Sequence, residues 1–335
     1  MKIHQKYMQR CIELAKNGLA SAMPNPSVGA VIVHENKIIG EGYTSAYGGA
    51  HAEVNAIRSV KNKSLLGEST LYVSLEPCSH HGKTPPCCDL IVEYKIPNVV
   101  IGTVDSNEKV AGNGIKKLIQ AGVNVTVGIL EKECRASNIR FFTFHEKKRP
   151  YIILKWAESQ DGYIAPKTKL EQKPVWITNV FSRQMVHKWR SEEQAILVGT
   201  QTVIDDNPKL NVRDWIGKNP VRFVLDQNNR IPRESHIFDN QAKTIVLSSA
   251  EIDFSRNIAI QIGDFLFKNN IQSVLIEGGK QTIQTFIDTN LWDEARVFRG
   301  NLFFENGTKA PILQSEWTER QFILEDELLI FKNYD

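Results

Sequence analysis

The sequence predicts a chain of two α/β domains. Its 335 residues are about the length of two domains. Strand signals alternate with helix signals through both halves, which is typical of α/β layers. The composition changes at 145–150, His-Glu-Lys-Lys-Arg-Pro. We therefore expect a first domain over residues 1–147 and a second over 148–335.

The first half reads as helices alternating with short buried strands. Hydrophobic periodicity and turn residues predict helices at 4–18, 50–60, 87–94 and 114–121, and strands at 28–33, 38–43, 71–75, 99–104 and 123–129. Gly18 ends the first helix, and Pro86 fits the first turn of the third. The second helix carries His51 and Glu53 in its first turn, and the strand at 71–75 runs directly into Glu76.

The second half repeats this alternation. Runs rich in Val, Ile and Leu predict strands at 151–156, 195–198, 221–225, 244–247, 273–276, 295–304 and 327–331, with helices at 179–190 and 280–290. The apolar strand at 296–304 resembles an exposed sheet edge, which favours pairing with a second copy. We therefore expect a homo-oligomer, with a dimer as the simplest form.

Charge and hydrophobicity exclude two classes of partner. The chain has 41 basic and 38 acidic residues, a net charge of +3, which gives no electrostatic basis for binding nucleic acid or a membrane surface. Apolar runs fall well short of the ~20 residues that a membrane span needs. The amphipathic N-terminal helix pattern is unlike a signal peptide. These features predict a cytoplasmic protein.

One histidine, one glutamate and two cysteines carry the clearest chemical signal. They occur as His51-Ala52-Glu53, Pro77-Cys78 and Pro86-Cys87. A catalytic zinc ion takes three nitrogen or sulfur ligands and leaves a fourth position to water. His51, Cys78 and Cys87 would hold zinc, and Glu53 would move protons beside it.

Other interpretations of these cysteines remain. A structural zinc site would need a fourth protein ligand, from Cys88 or His80, and such a closed site has no use for Glu53. The cysteines could also simply be buried, as we expect of Cys11 and Cys134. All five cysteines precede residue 135, a distribution unlike that of a disulfide scaffold.

Three motifs give the first half a family resemblance. They are Pro-Asn-Pro-Ser-Val-Gly at 24–29, His-Ala-Glu at 51–53, and Glu-Pro-Cys-Ser-His-His-Gly-Lys-Thr-Pro-Pro-Cys at 76–87. This half resembles the cytidine-deaminase-like zinc deaminases, which implies a three-layer α/β/α fold. The long insert between the cysteines resembles, more narrowly, the bifunctional deaminase–reductases of riboflavin biosynthesis.

The second half resembles the reductase domain of the same family. The resemblance rests on Lys-Trp-Ala-Glu-Ser-Gln-Asp-Gly at 155–162, Trp-Ile-Thr at 176–178, Gly-Thr-Gln-Thr-Val at 199–203, Asp-Asp at 205–206 and Glu-Gly-Gly at 277–279. That domain is similar in fold to dihydrofolate reductase. The resemblance therefore implies a dihydrofolate-reductase-like α/β domain that follows the deaminase domain.

For the first half, the resemblance implies a phosphorylated pyrimidine as the small-molecule substrate. Zinc-dependent hydrolysis would deaminate 2,5-diamino-6-(5-phosphoribosylamino)pyrimidin-4(3H)-one, with Glu53 as the catalytic proton carrier. Lys83 is the cation expected at the phosphate. The residues expected at the deaminase substrate are Asn25, Glu76, His80, Lys83, Asp105 and Asn107.

For the second half, the resemblance implies reduction of the ribosyl group to ribityl with NADPH as cofactor. The expected cofactor contacts are Glu158, Trp176, Thr202, Asp206, Gln227, Gly278, Gly279, Lys280, Gln281 and Thr282. The expected substrate contacts are Lys155, Asp161, Arg190, Leu210, Arg213 and Glu277. A Gly-Gly pair between a strand and a helix suits a phosphate, and guanidinium groups bind phosphate in a bidentate way.

Three rival functions share some of these residues. A nucleic-acid-editing zinc deaminase with an accessory domain would use the same ligands, but it would need a basic groove and aromatic stacking surfaces. A deaminase whose reductase half is silent is a second rival. A structural zinc module joined to a ligand-binding domain is the third, and a substitution of Glu53 distinguishes it from an enzyme.

Overall fold

The computed structural model describes residues 2–80, 85–106, 111–169 and 171–334. The chain forms two compact units, Met1–Lys148 and Arg149–Asp335. The division lies one residue beyond the predicted boundary. Within the described residues, no helix is both long enough and apolar enough to cross a membrane.

The first unit alternates helices and strands around one sheet. Its elements are α1 (Lys2–Ala15), α2 (Leu19–Ala22), β1 (Gly29–His34), β2 (Lys37–Tyr43), α3 (Ala52–Ser59), β3 (Thr70–Leu75), α4 (Cys87–Glu93), β4 (Asn98–Thr103), α5 (Asn113–Gln120), β5 (Asn124–Val127), α6 (Glu131–Ser137) and α7 (Ile139–Lys147). The strand order is β2-β1-β3-β4-β5. Strand β1 is antiparallel to both neighbours, and β3, β4 and β5 are parallel.

Side-chain alternation along the strands separates two cores. In β1, Val31 and Val33 pack with α1 on one face of the sheet. Ala30 and Ile32 face the other side and pack with α3 and α4. Successive strand residues point to opposite faces, so a strand buried on both faces reads as one continuous apolar run. The resulting α/β/α layers are those implied by the resemblance.

The second unit is built on a larger, mostly parallel sheet. Its elements are β6 (Tyr151–Glu158), β7 (Tyr163–Pro166), α8 (Val180–Glu192), β8 (Ala195–Gly199), α9 (Thr200–Asp206), β9 (Val221–Leu225), β10 (Thr244–Leu247), α10 (Ile258–Lys268), β11 (Ser273–Glu277), α11 (Lys280–Asp288), β12 (Glu294–Arg299), β13 (Gly307–Lys309), β14 (Glu319–Ile323) and β15 (Asp326–Lys332). The main sheet has the order β10-β9-β8-β11-β6-β12-β15-β14, and β13 pairs with β7. The first six strands in this spatial order, from β10 to β12, run parallel to one another.

The strand predicted at 296–304 is not a sheet edge. Strand β12 ends at Arg299 and lies between β6 and β15, and Val297 and Phe298 are buried. Its apolar sequence reflects an internal position with both faces covered. The exposed-edge argument for a homo-oligomer is therefore wrong, because the edges of this sheet are β10 and β14.

Candidate functional site

Two helix starts and one strand end bring the three zinc-ligand candidates together. His51 immediately precedes α3 in an extended conformation, with φ −74° and ψ 167°. Cys87 is the first residue of α4, and Cys78 follows β3 by three residues. Helix N-termini carry partial positive charge, which stabilises thiolates placed there.

The three side chains form one compact donor group. The distance from His51 Nδ1 is 3.6 Å to Cys78 Sγ and 3.4 Å to Cys87 Sγ, and all ligand atoms lie within 4.8 Å of one another. Cys88 turns its thiol away, towards the carbonyls of Pro77 and Gly114. Within the described ranges the group holds these three ligands alone. One imidazole and two thiolates fit a zinc site with an open position.

Glu53 lies buried next to this group, and the pKa of its carboxyl group is raised. It is 4% exposed. Burial first, and then the negative charge of Cys78, raises the pKa of Glu53 to about 7. The pKa of Cys78 is lowered to about 4, mainly because its sulfur accepts a hydrogen bond from Cys87. A carboxyl group poised near neutral pH both accepts and releases a proton readily.

Glu76 has a different task from the predicted contact with the pyrimidine. Its two carboxylate oxygens accept four backbone N–H bonds, from Asp105, Gly112, Gly114 and Ile115, at 2.9 to 3.3 Å. These bonds tie the segment after β4 and the start of α5 to the end of β3. The carboxylate is thus committed to backbone donors, which no sequence pattern revealed.

The remaining substrate predictions for this unit stay predictions. Asn25 lies just after α2, where its backbone N–H bonds Ala22 O at 2.9 Å. His80 is exposed, and Asp105 is buried at the end of β4. Lys83 and Asn107 lie outside the described residues.

The second unit holds a cavity of about 1430 Å³ at the carboxyl ends of its parallel strands. Ligands of open α/β sheets bind at this edge, because the loops that follow the strands converge there. Most of the predicted cofactor and substrate residues line the cavity. They are Lys155, Trp176, Arg190, Thr202, Asp206, Leu210, Arg213, Gln227, Glu277, Gly278, Gly279, Lys280, Gln281 and Thr282.

Glu158 and Asp161 were predicted to belong to this set, but the structure places them outside the cavity lining. Glu158 accepts hydrogen bonds from the Trp156 indole and from Arg299. Asp161 accepts from Ser159 Oγ and from backbone N–H groups after β12. Both carboxylates are engaged in local structure, so we omit them from the proposed contacts.

The turn between β11 and α11 is shaped to approach a phosphate closely. Gly278 and Gly279 have φ of +73° and +71°, in the region where glycine is favoured. A Cβ on Gly278 would lie 2.9 Å from Thr202 Cγ2. The turn therefore combines a helix N-terminus with an absence of side-chain bulk.

A charged cluster lies in the cavity beside this turn. Arg190 donates two hydrogen bonds of 2.8 Å to the carboxylate of Glu277, and Lys155 Nζ lies 3.9 Å from Glu277. Burial alone would raise the pKa of Glu277, but the charges of Arg190 and Lys155 outweigh it and lower the pKa to about 2. Burial also lowers the pKa of Lys155.

His187 and Lys169 are among the cavity residues that the sequence analysis did not identify. His187 lies three residues before Arg190 on α8. Because this spacing places both side chains on one face of a helix, the sequence could have indicated that His187 lies near Arg190. Its Nδ1 lies 3.1 Å from Asn211 O. Lys169 pairs with Asp206, and both residues line the cavity. Because these two are 37 positions apart, local spacing gave no indication of the pair.

Comparison with known families assigns a different model to each half of the chain. The cytidine and deoxycytidylate deaminase zinc-binding region matches residues 1–103. The RibD C-terminal domain matches residues 150–304.

Relatives match over nearly the full length. The riboflavin biosynthesis protein RibD of Aquifex aeolicus is 39% identical over 313 residues, covering 89% of this chain and 86% of that protein. The Escherichia coli protein of the same name is 38% identical, with coverage of 87% and 86%. A solved diaminohydroxyphosphoribosylaminopyrimidine deaminase/5-amino-6-(5-phosphoribosylamino)uracil reductase from Thermotoga maritima is 37% identical with a TM-score of 0.90, and the match covers 99% of each chain.

Proposed function

Because the chain belongs to the RibD family of bifunctional riboflavin biosynthesis enzymes, we propose that it acts twice on one substrate. The first unit deaminates 2,5-diamino-6-(5-phosphoribosylamino)pyrimidin-4(3H)-one by hydrolysis. The second unit then reduces the ribosyl group of the product to ribityl with NADPH. The observation that carries this proposal is the three-ligand group with Glu53 beside it, on the same chain as a reductase cavity.

In the deamination step, His51, Cys78 and Cys87 would hold zinc. Zinc, when bound, activates a water for attack on the ring carbon that bears the amine. Glu53 would carry one proton of the water to the ring nitrogen and then the second, from the hydroxyl of the adduct, to the leaving amine. Water enters, ammonia leaves, and a carbonyl replaces the C–NH₂ group.

In the reduction step, NADPH supplies a hydride to the sugar carbon. The glycine turn at Gly278 and Gly279 would receive the cofactor phosphates, and the hydrogen-bonded pair of Arg190 and Glu277 would lie beside the sugar. Lys155, whose pKa is lowered by burial, is suited to give a proton to the sugar oxygen. The C1′–O4′ bond of the ribose opens as the hydride adds to C1′, which keeps its bond to the amino nitrogen. The ring oxygen takes the proton and becomes a hydroxyl, which gives the ribityl chain.

A two-stage assay tests the proposal with the purified chain and the diaminopyrimidine substrate. Stage one follows ammonia release without nicotinamide cofactor, and stage two adds NADPH and follows its oxidation. We expect ammonia first and NADPH consumption second. Ammonia without NADPH consumption would indicate a silent reductase half. No ammonia would contradict the substrate and favour a nucleic-acid deaminase.

Glu53→Gln separates a catalytic zinc site from a structural one. The amide keeps the shape of the side chain but cannot carry the proton, so we expect about a 10²- to 10⁴-fold loss of deamination. Zinc content, measured by atomic absorption, should stay at one per chain. Glu93→Gln, an exposed position at the end of α4, is the matched control and should behave as wild type.

A further inference from the structure

The cavity of the second unit has two ends along the sheet. The charged cluster of Lys155, Arg190 and Glu277 lies at β6 and β11. The glycine turn follows β11, and β8 and β9 come next in the strand order. With the sugar at the cluster and the cofactor phosphates at the glycine turn, the adenosine half of a dinucleotide would extend towards β8 and β9. Two inter-strand spacings separate β9 from β11, roughly 10 Å.

Arg230 lies at this far end, on a turn that follows β9. The strands β8 and β9 end level with each other, with Gly199 opposite Leu225. Arg230 lines the cavity and is exposed. Its guanidinium makes no hydrogen bond or ion pair with the described part of the chain. An arginine that lies free at a cavity wall is available to an anionic ligand.

A buried carboxylate fixes the backbone of that turn. Asp226 is 2% exposed and accepts hydrogen bonds from the backbone N–H groups of Arg230 and Ile231 at 3.0 and 2.9 Å. Its Oδ1 also accepts from Thr200 Oγ1 at 3.2 Å. An acidic residue after a strand commonly binds the 2′-hydroxyl of NAD. Asp226 is unsuited to that role, because it is buried and occupied by local donors.

Six of the other described cations that line the cavity contact neighbouring groups. Lys169 and Lys173 pair with Asp206 and Glu171. Four more cations contact neighbouring groups at the substrate side or the cavity mouth: Lys155, Arg183, Arg190 and Arg213. Lys280 begins α11 beside the glycine turn, and Lys209 precedes the predicted substrate residue Leu210. The carbonyl of Lys209 accepts a hydrogen bond from Arg222 of β9 at 3.0 Å, whereas Arg230 is the arginine of the turn that directly follows β9.

We propose that Arg230 binds the 2′-phosphate of NADPH and makes this chain select NADPH over NADH. The inference rests on the proposed reductase function and deepens it. A guanidinium binds a phosphate through two parallel N–H···O bonds. Since NADH presents a neutral hydroxyl at the same position, Arg230 adds binding energy for one cofactor only.

The test compares Arg230→Gln with Arg233→Gln in the full-length protein. Arg233 is also an exposed arginine, three residues on and outside the cavity lining. Calorimetry with adenosine 2′,5′-bisphosphate and with 5′-AMP measures the 2′-phosphate contribution without catalysis. We expect Arg230→Gln to lose about 10- to 100-fold in affinity for the bisphosphate and to keep its affinity for 5′-AMP. Arg233→Gln should match wild type in both.

Kinetics with both cofactors supply the second readout. Arg230→Gln should lower kcat/KM for NADPH by about the same factor and leave kcat/KM for NADH unchanged, and Arg230→Lys should retain part of the preference. Lys280→Gln should weaken both cofactors equally, since it lies at the shared phosphates. An unchanged preference in Arg230→Gln, or no preference in wild type, overturns the inference. A wild-type chain that binds neither cofactor removes the proposed reductase function as well.

Discussion

Two carboxylates of the first unit acquire opposite properties from their surroundings. Glu76 accepts four backbone N–H bonds and acts as a fixed acceptor. Glu53 is buried next to a thiolate, which raises its pKa to about 7. Environment rather than residue type therefore separates the structural carboxylate from the proton carrier.

Glu76→Gln should destabilise the first unit. An amide offers one acceptor oxygen and places its NH₂ group against backbone donors, so we expect a loss of about 3 kcal/mol in the free energy of unfolding. Urea unfolding measures it, with the exposed Glu68→Gln as the control. Reduction by the second unit should continue. A change below about 0.5 kcal/mol would mean that these bonds are of little consequence.

His187 makes the second unit sensitive to acid. Burial, followed by the charges of Arg190 and Arg213, lowers the pKa of His187 to about 4, although Asp214 and Glu277 oppose this. The unfolded chain, with a histidine pKa of about 6.5, then binds more protons than the folded chain between pH 6.5 and 4. Stability therefore falls as the pH falls through this window.

The expected size of this effect is about 3 kcal/mol between pH 7 and pH 4. Denaturant unfolding of wild type and His187→Gln at a series of pH values measures it. The variant should show a shallower decline, because glutamine does not titrate. Parallel pH profiles for the two proteins would assign the acid sensitivity to other groups.

Among the elements, the turn from β11 to α11 has the strictest backbone requirement. Gly278 combines a positive φ with close contact to Thr202 of α9. Any side chain at Gly278 would require a strained backbone conformation and would also clash with Thr202. The same close approach is what lets backbone N–H groups reach a phosphate.

Gly278→Ala should weaken cofactor binding more than it affects folding. The positive φ costs an alanine about 1–2 kcal/mol, and the new Cβ must displace Thr202. We expect KM for NADPH to rise at least about 10-fold, with deamination unchanged. Gly217→Ala is an unsuitable control because its Cβ would meet Ser191. Gly162 has φ +80° with open space around it, so Gly162→Ala matches the strain without the contact and should leave KM unchanged.

Over the whole molecule, the two chemistries are built on separate sheets with separate cores. The zinc-ligand candidates lie between residues 51 and 87, and the residues that line the reductase cavity lie between 155 and 308. Each unit buries its own apolar clusters. The two activities should therefore respond independently to loss of metal.

Chelation of zinc should abolish deamination and leave reduction intact. The reduction is measured as NADPH oxidation with 5-amino-6-(5-phosphoribosylamino)uracil, which bypasses the first step. Added zinc should restore ammonia release. A parallel loss of NADPH oxidation would show that the second unit depends on the metal.

The sequence by itself determined the fold class, the family and the zinc-ligand candidates. Strand and helix periods are local properties of the chain, and the ligands lie in short motifs next to predicted helix starts. The glycine turn after β11 could also be predicted from the sequence, because a strand–Gly-Gly–helix junction is a local pattern.

Only the tertiary structure decided which polar groups meet. Glu76 bonds backbone groups about 30 to 40 residues away, Lys169 pairs with Asp206, and β12 lies inside its sheet. Local spacing carries no information on such distant pairings, because they depend on strand order and loop paths. For this reason Glu76 and Glu158 were predicted as ligand contacts, whereas the fold commits both carboxylates to structural bonds.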